Sequence, residues 1–224
     1  MKKNLIPKKS TKGNQIQQKF KLMKLLNPFG PQIAILKLPK ILINKINKEV
    51  ENTLRNKVKL KKLDYSKKLV GQVNQEIELT KTFINKHISK FIQKSINDFL
   101  KKSIKKKSKH VKIKNFWIVR QFKNEYNPIH YHNGDISGVG YLKIPNKLTK
   151  GKKKIKTNGT IDFVNGTKSF LSNSIFNHTP KVGDLILFPH YLMHAAYPFI
   201  GDGERRSFSF NIKLDENISN VFHD

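Results

Sequence analysis

The stretch "NPIHYHNGDISGVGYLKIP", residues 127–145, places two histidines at the start of a run that alternates like a β-strand. Successive side chains of a strand point to opposite faces, so His130 and His132 would share one face, with Cα atoms roughly 6.5 Å apart. Two imidazoles placed in this way can converge on one metal ion. Because such a pair also occurs by coincidence on protein surfaces, a metal site requires further ligands elsewhere in the chain.

Composition limits the kinds of protein and metal site that this chain can form. Its 224 residues, 37% of them hydrophobic, suffice for one substantial core and predict a single domain. The absence of cysteine excludes disulfides, thiolate catalysis and cysteine-ligated metals, so a metal must be held by histidine and carboxylate. No apolar run is long enough to cross a bilayer, and no signal-peptide core follows the basic start. We therefore expect a cytoplasmic protein without membrane contact.

The net charge of +30 suggests nucleic-acid binding, because clustered cations release counterions from phosphate backbones. Only four of the 45 basic residues are arginine, however, and base readout and bidentate phosphate recognition favour arginine. Lys, Asn and Ile are abundant throughout, as an AT-rich coding sequence would produce. We expect nonspecific affinity for nucleic acid or other polyanions as a by-product of this composition.

The first half of the chain predicts helices. Residues 1 to about 24 are lysine-rich and aperiodic and predict a flexible basic tail, which a short strand at 33–39 follows. Apolar residues then recur with helical spacing in two segments, one beginning at Pro39 and one over 79–106. The stripes are Leu42, Ile46, Val50 and Leu54 in the first helix, and Ile84, Ile88, Phe91, Ile92, Ile96, Phe99, Leu100 and Ile104 in the second. We expect them to form a helical buttress at about 39–107.

The second half of the chain predicts strands. Short apolar runs separated by Gly, Pro, Asn and Asp follow from about residue 110, namely "VKIKNFWIVRQF", "SGVGYLKI", "GTIDFV", "DLILFP" and "RRSFSFNIKL". The lysine-rich stretch at 146–159 predicts a solvated hairpin loop. Helices followed by strands indicate one α+β domain over 25–224, in which the helices buttress a β-sandwich or barrel core at about 110–216.

A barrel brings the inward faces of distant strands together, so a third metal ligand can lie far away in the sequence. The segment "GDLILFPHYLMHAAYP", residues 183–198, carries His190 and His194 at the end of a strongly apolar strand. Both histidines follow the first pair by about sixty residues. His194 is the candidate third ligand, and His190 is a candidate for supporting the ligands from outside.

The predicted strand "ERRSFSFNIKL", residues 204–214, has one polar and one apolar face. Arg205, Ser207, Ser209 and Asn211 fall on one side, and Arg206, Phe208, Phe210 and Ile212 fall on the other. If the phenylalanines pack against the helices, Arg205 and Ser207 point into the barrel and suit a carboxylate. The reverse orientation, with the phenylalanines inside and Arg205 in water, has the same periodicity.

In this order the segments resemble the iron(II)- and 2-oxoglutarate-dependent oxygenases, and within them a 2OG-Fe(II) oxygenase group common in marine phages and bacteria. The similar segments are "PFGPQIAILKLP", "LVGQV", "EYNPIHYHNGDISGVGYLKIP", "PKVGDLILFPHYLMHAAYP" and "GERRSFSFN". The resemblance implies a double-stranded β-helix, or jelly roll, and a dioxygenase that uses Fe(II), 2-oxoglutarate and O2. It would hydroxylate an unidentified substrate and release succinate and CO2, in the cytoplasm of a bacterium or of a phage's host.

The resemblance also implies roles for single residues. His194 would supply the distal iron ligand, and Arg205 would anchor the far carboxylate of 2-oxoglutarate beside Ser207. From its position just after the "GVG" segment, Tyr141 is a candidate for lining the cosubstrate pocket, and core packing is the alternative role for it.

The iron ligands depart from the usual pattern in one position. Most members of the superfamily have His-x-Asp or His-x-Glu before the distal histidine, and in this chain His132 takes the place of that carboxylate. Either His130, His132 and His194 hold the metal together, or Asp135 completes the set as an alternative ligand.

Two other functions fit parts of the sequence. Gly183, Pro189 and His194 have the spacing of the second cupin motif, which predicts a cupin-like metal-binding protein, but the glutamate expected after His-x-His is missing. From a different class, a non-catalytic, basic nucleic-acid-binding protein could use a degenerate barrel. Its binding would persist in chelator and be abolished by salt.

Overall fold

The computed structural model describes residues 23–26, 30–145 and 157–220. Its helices are α1 (Lys40–Arg55), α2 (Lys57–Leu63), α3 (Lys81–His87), α4 (Ser89–Ile104) and α5 (Glu216–Ser219). Its strands are β1 (Lys24–Leu26), β2 (Ile33–Lys37), β3 (Gln75–Glu78), β4 (Lys112–Gln121), β5 (Asn127–His130), β6 (Ile136–Lys143), β7 (Ile161–Val164), β8 (Ile175–His178), β9 (Asp184–Pro189), β10 (Met193–Ala196) and β11 (Arg205–Lys213). The predicted tail lies outside the described residues except at its end, where Lys24 opens β1, and most of the predicted lysine-rich loop also lies outside them.

The strands form two antiparallel sheets. The larger has the order β1-β2-β9-β6-β11-β4-β3, and the smaller has the order β5-β10-β7-β8. The molecule is therefore a mixed α/β fold with antiparallel sheets, as the succession of helices and strands predicts. In the part of the chain that the structure describes, the two sheets do not join into a closed barrel.

The helices pack on the outer face of the larger sheet through the predicted apolar stripes. Leu42, Ile46 and Val50 of α1 are buried, and they share one core with Phe208 and Phe210 of β11. Ile92, Ile96, Phe99 and Leu100 of α4 belong to the same core. None of the helices in the described ranges is long and apolar enough to cross a membrane.

The single helix predicted over 79–106 is two helices in the structure. Ile88 separates α3 from α4 with φ −116° and ψ −45°, so its ψ is helical but its φ departs from the ideal helical value by about 50°. The Ser89 hydroxyl donates a hydrogen bond to the Ile84 carbonyl at 3.2 Å, and a serine that bonds back to the preceding turn bends a helix. The apolar stripe continues across the break, which explains why periodicity alone predicts one helix.

Several short elements, among them α2 and β3, have no counterpart in the sequence prediction. Strand β3 pairs with β4 at the edge of the larger sheet, with Glu76 opposite Val119. The four residues of β3 include two glutamates and show no apolar pattern, so the strand cannot be recognised from the sequence. Its pairing with β4 identifies it in the structure. The segment between α2 and β3, which contains "LVGQV", lies over the inner face of the larger sheet, where Tyr65 and Leu69 line a cavity.

The glycines of "SGVGY" make room for aromatic rings. In the larger sheet Phe208 pairs with Gly140 and Phe210 pairs with Gly138. A Cβ atom at either glycine would overlap the ring of its partner. The rings also stack on Phe116, at centroid distances of 4.9 Å for Phe208 and 6.1 Å for Phe210. This face of β6 is therefore shaped by its neighbour's phenylalanines.

We expect Gly140→Ala to destabilise the protein, because the added methyl group overpacks a close-packed core. The expected cost is about 1–3 kcal/mol, which corresponds to a fall in Tm of roughly 2–12 °C for a protein of this size. Thermal unfolding followed by circular dichroism measures it. Gly30→Ala is the matched control, since nothing lies within 4 Å of a Cβ at that position. Equal melting temperatures for the two variants would contradict the packing.

Candidate metal and cosubstrate site

A cavity of about 350 Å³ lies between the two sheets. Its walls come from the inner face of the larger sheet, from β5, β7 and β10 of the smaller sheet, and from the segment before β3. The polar side chains among its lining residues are Tyr65, Lys68, Glu76, Asn115, Gln121, Asn127, His130, Tyr131, His132, Asn133, Tyr141, His194, Arg205, Ser207, Ser209 and Asn211. The cavity therefore brings together every residue that the sequence singles out for a metal or cosubstrate, except Asp135.

Three histidines meet on one side of this cavity. His130 ends β5, and His194 lies directly opposite it in β10. The ring centroids are 4.3 Å apart for His130 and His194, and 4.9 Å apart for each of the two pairs that include His132. One ligand nitrogen from each ring lies within 4.8 Å of the others. The predicted set of three histidines is thus assembled from segments sixty residues apart.

The alternation predicts that His130 and His132 lie on the same face of one strand, and the structure differs from this prediction. Strand β5 ends at His130, and His132 lies in the following turn. The backbone N–H of His132 donates a hydrogen bond to the carbonyl of His190 at 3.0 Å. His190 thus holds the turn through its backbone, outside the group of three rings, and so brings His132 towards the other two.

The hydrogen bonds of the rings leave nitrogen lone pairs available to a metal. Nδ1 of His130 lies 2.7 Å from the Pro128 carbonyl, and Nδ1 of His194 lies 2.9 Å from the Leu192 carbonyl. A carbonyl only accepts, so each Nδ1 must carry the proton, and each Nε2 has a free lone pair. Metal-binding histidines are commonly fixed by such bonds.

Burial keeps these rings uncharged. It lowers the pKa of His132 to about 3 and the pKa of His194 well below its usual value, and the neighbouring histidines add to both shifts. The pKa of His130 is also lowered by burial. Neutral imidazole is the form that ligates metal, so the donor set fits a divalent ion that accepts nitrogen ligands.

Asp135, the alternative ligand, is engaged elsewhere. Its Oδ2 accepts a hydrogen bond from the backbone N–H of Leu214 at 2.6 Å, and its Oδ1 lies 3.2 Å from Nζ of Lys213. Among the described residues, no carboxylate joins the three histidines as a possible ligand group. The Asp135 carboxylate instead ties the turn before β6 to the end of β11.

Arg205 lies on the cavity wall with its charge uncompensated. It is 4% exposed, and its guanidinium donates hydrogen bonds to the Gly159 carbonyl at 2.6 Å and to Oε1 of Gln121. Both partners are neutral, and no acidic side chain of the described residues forms an ion pair with it. Burial lowers the pKa of Arg205 from its usual value, although the group remains a cation at any ordinary pH.

Arg206, the next residue, has the opposite environment. Its guanidinium points to the helical side, where it bonds Glu204 at 2.8 Å, Glu51 at 2.7 Å and Asn47 at 3.1 Å. Its charge is therefore neutralised within the fold. The two faces of β11 are thus oriented as the first of the two sequence alternatives predicts, with the phenylalanines towards the helices.

Ser207 and Tyr141 lie beside Arg205 on the same wall, opposite each other in β11 and β6. Tyr141 is 2% exposed and also belongs to the apolar core between the sheets. Burial raises its pKa to about 12, so the phenol keeps its proton. Tyr141 therefore lines the cavity and also packs in the core, which are the two alternatives that the sequence left open.

Sequence reasoning missed several polar cavity residues, among them Glu76, Asn127 and Gln121. Gln121 is visible as the last polar residue of the predicted strand at 111–122, but nothing links it to Arg205. Asn127 opens the quoted stretch and has no distinguishing signal. Glu76 lies on the undetected strand β3. Only the pairing of β3 with β4 shows that its side chain faces the cavity.

Known proteins resemble this chain in two ways, through a family model that matches the β-rich half and through solved structures that share the fold. Residues 115–211 match the family model described as "Putative 2OG-Fe(II) oxygenase". No curated protein matches the chain.

Several solved structures have a fold similar to that of this chain. A prolyl-4-hydroxylase from Pseudomonas putida is 12% identical, with TM-score 0.55 over 82% of this chain and 92% of that chain. A prolyl hydroxylase from Trichoplax adhaerens, in complex with a hypoxia inducible factor peptide fragment, is 11% identical, with TM-score 0.53 over 86% and 87%. HygX from Streptomyces hygroscopicus, with nickel and 2-oxoglutarate bound, is 10% identical, with TM-score 0.52 over 81% of each chain. At these identities the similarity shows the fold.

Proposed function

We propose that this chain is a member of the 2OG-Fe(II) oxygenase family, whose model matches residues 115–211, in which His130, His132 and His194 hold the iron while Arg205 and Ser207 bind 2-oxoglutarate. The protein is an iron(II)- and 2-oxoglutarate-dependent dioxygenase by this family membership. The family match favours the oxygenase over the two other functions that fit the sequence, which are a cupin-like metal-binding protein and a nucleic-acid-binding protein.

The observation that carries the cosubstrate assignment is the uncompensated charge of Arg205. A buried cation is costly unless it is paired, and the fold neutralises Arg206 but leaves Arg205 with neutral partners. A carboxylate in the cavity would supply the missing charge and accept from the guanidinium fork. The Ser207 hydroxyl lies on the same strand face and would donate to the same carboxylate.

The three imidazoles support the metal assignment through their donor chemistry. Two of them are oriented by backbone carbonyls, and all three are kept neutral by burial. With no carboxylate in the group, a divalent ion would keep its full charge, which is expected to weaken its binding relative to a site with two histidines and one carboxylate.

When bound, Fe(II) and 2-oxoglutarate supply the oxidation, with O2 as the oxidant and succinate and CO2 as the products of the cosubstrate. The chain's own residues would bind the metal and the cosubstrate, orient them and exclude water from the site. Phe163 and Phe188 pack against the His194 ring at centroid distances of 5.8 Å and 4.9 Å, and Trp117 packs against His132 at 5.7 Å. These contacts fix the rings and keep the ligand side of the cavity apolar.

We also propose that the β-rich half is a double-stranded β-helix. The eight strands from β4 to β11 fall in the larger or the smaller sheet in the order larger, smaller, larger, smaller, smaller, larger, smaller, larger. The order reads the same from both ends, which is how a jelly roll folds a long hairpin over on itself. On this basis residues 25–224 form one oxygenase domain.

The proposal is tested with the purified chain under anaerobic conditions. We expect it to bind one Fe(II) or Mn(II) per chain and to bind 2-oxoglutarate to that complex, as measured by titration calorimetry. Admission of O2 to the Fe(II) complex should then release succinate, which is measured in a coupled assay. Chelator should abolish both 2-oxoglutarate binding and succinate release. Metal binding without any effect of 2-oxoglutarate would favour a cupin-like site.

A further inference from the structure

Glu76 is a buried acid on the wall of the proposed active site that the iron and cosubstrate assignments do not use. It pairs across the larger sheet with Val119 in β4, which pairs with Ser207 in β11. Glu76 and Ser207 therefore share the inner face, two strands or roughly 10 Å apart. Both line the same cavity. Glu76 thus marks the end of the cavity that lies beyond the cosubstrate residues.

The carboxylate of Glu76 has no hydrogen-bond donor among the described residues. Glu76 is 1% exposed, and both of its oxygens are buried without a partner. The side-chain oxygen of Asn127, another cavity residue, is in the same condition. The two residues are neighbours, because a Cβ on Gly71 would lie 3.1 Å from Oδ1 of Asn127 and 3.2 Å from Oε1 of Glu76. Two unsatisfied acceptors therefore stand together.

Two other buried acids, Asp184 and Glu204, have hydrogen-bond donors within the fold. Asp184 bonds Lys37 and His178, and Glu204 bonds Arg120 and Arg206. The pKa values of both acids are lowered to about 2, because these donors outweigh the opposing effect of burial. For Glu76, by contrast, burial raises the pKa to about 7, and the nearby Asp64 adds to the shift.

The chain has no shortage of cations that could have paired with Glu76. Its 45 lysines and arginines outnumber its acids threefold, and Lys68 lines the same cavity. The Lys68 ammonium, however, lies 4.8 Å from the centroid of the Tyr65 ring, and it is not a partner of either Glu76 oxygen. An unpaired acid is costly to bury, so its place in a cavity indicates a partner that enters from outside.

We propose that Glu76, with Oδ1 of Asn127, binds a primary ammonium or guanidinium group of the substrate. This inference rests on the proposed function, since it assigns the substrate class of the same cavity. A single hydroxyl or amide N–H would satisfy one acceptor and leave a carboxylate unneutralised. An ammonium or guanidinium group offers several N–H donors and the opposite charge, so it satisfies both residues. The aromatic rings of Tyr65 and Trp117, which line the same cavity, add favourable surfaces for a cation.

The test compares matched probes on the full chain, with and without Mn(II) and 2-oxoglutarate. n-Butylguanidinium and n-butylammonium are the cationic probes, and n-butanol is the neutral one, with binding followed by ligand-observed NMR. We expect the cationic probes to bind the wild type in preference to n-butanol. Glu76→Gln should weaken their binding by roughly 10- to 100-fold, as for the loss of a charge-assisted hydrogen bond. Its affinity for Mn(II) and 2-oxoglutarate should not change.

Glu78→Gln is the matched control. Glu78 lies on the same strand two residues further on, but it does not line the cavity. The same substitution there should leave the binding of every probe unchanged. Equal losses in Glu76→Gln and Glu78→Gln would show a general charge effect and would overturn the inference.

A second measurement needs only the wild-type protein and therefore does not depend on the folding of a variant. The carboxyl carbon of Glu76 is titrated by NMR with and without n-butylguanidinium. A bound cation favours the charged form, so the pKa of Glu76 should fall when the probe is present. If the pKa is unchanged, or if n-butanol binds as well as the cations, Glu76 and Asn127 satisfy each other and the inference is wrong. The proposed function then stands or falls separately, by Mn(II) and 2-oxoglutarate binding in the same samples.

Discussion

His194→Ala is expected to abolish the binding of Fe(II) and Mn(II). His194 is 5% exposed and lies opposite His130 across paired strands, so no other side chain of the described residues can take its place in the group. Two imidazoles without a carboxylate leave a divalent ion with two neutral ligands. The expected loss therefore exceeds the ~10- to 100-fold that removal of an outer supporting residue costs. Titration calorimetry with Mn(II) under anaerobic conditions measures it.

Variants of the neighbouring residues separate the two ligand sets that the sequence allows. If three histidines hold the metal, His130→Ala and His132→Ala each lose it. Asp135→Asn then keeps most of the affinity, since the amide oxygen of asparagine can still accept from the N–H of Leu214. Loss of metal in Asp135→Asn together with retention in His130→Ala would instead establish a carboxylate-containing site. Metal binding that survives His194→Ala unchanged would exclude both sets.

The parts of the fold that repeat in a regular way could be predicted from the sequence. The stripe of α1 and the two faces of β11 depend on local periodicity, and the structure has both as predicted. The break at Ile88 could not be predicted in this way, because the apolar stripe continues through it. The Ser89 hydroxyl bonds back to the preceding turn at this point, and a single hydroxyl does not alter the periodicity.

The site was predictable in its ligand types but not in its geometry. The two histidines of the quoted stretch and His194 can be chosen as candidates because a chain without cysteine must hold a metal with histidine and carboxylate. That His194 lies opposite His130 depends on the register of β5 and β10. These strands are distant in the sequence and no turn joins them, so local pattern does not predict their register. The position of Asp135 depends on the distant N–H of Leu214. Glu76 was missed since its strand is defined only by its pairing with β4.

Arg205→Ala is expected to raise the dissociation constant for 2-oxoglutarate roughly tenfold to a hundredfold or more, the equivalent of ~1.5–3 kcal/mol for a lost charge-assisted hydrogen bond. The guanidinium lies on the cavity wall with only neutral partners, so its charge is available to a carboxylate. Calorimetric titration of 2-oxoglutarate into the Mn(II)-loaded variant measures the change. Arg205→Lys keeps the charge but not the bidentate fork, so it should give an intermediate value.

Arg206→Ala is the control for this prediction. It should affect stability more than 2-oxoglutarate affinity, whereas Arg205→Ala should affect the affinity more than stability. Arg206 bonds Glu204 and Glu51 on the helical side, so its loss breaks a buried ion pair and should lower stability by on the order of 3 kcal/mol. The 2-oxoglutarate affinity of the folded protein should remain as in the wild type, because Arg206 points away from the cavity. The melting temperature should therefore fall more in Arg206→Ala, and the affinity more in Arg205→Ala. If 2-oxoglutarate binding depends on Arg206 and not on Arg205, the cosubstrate does not bind on this wall of the cavity.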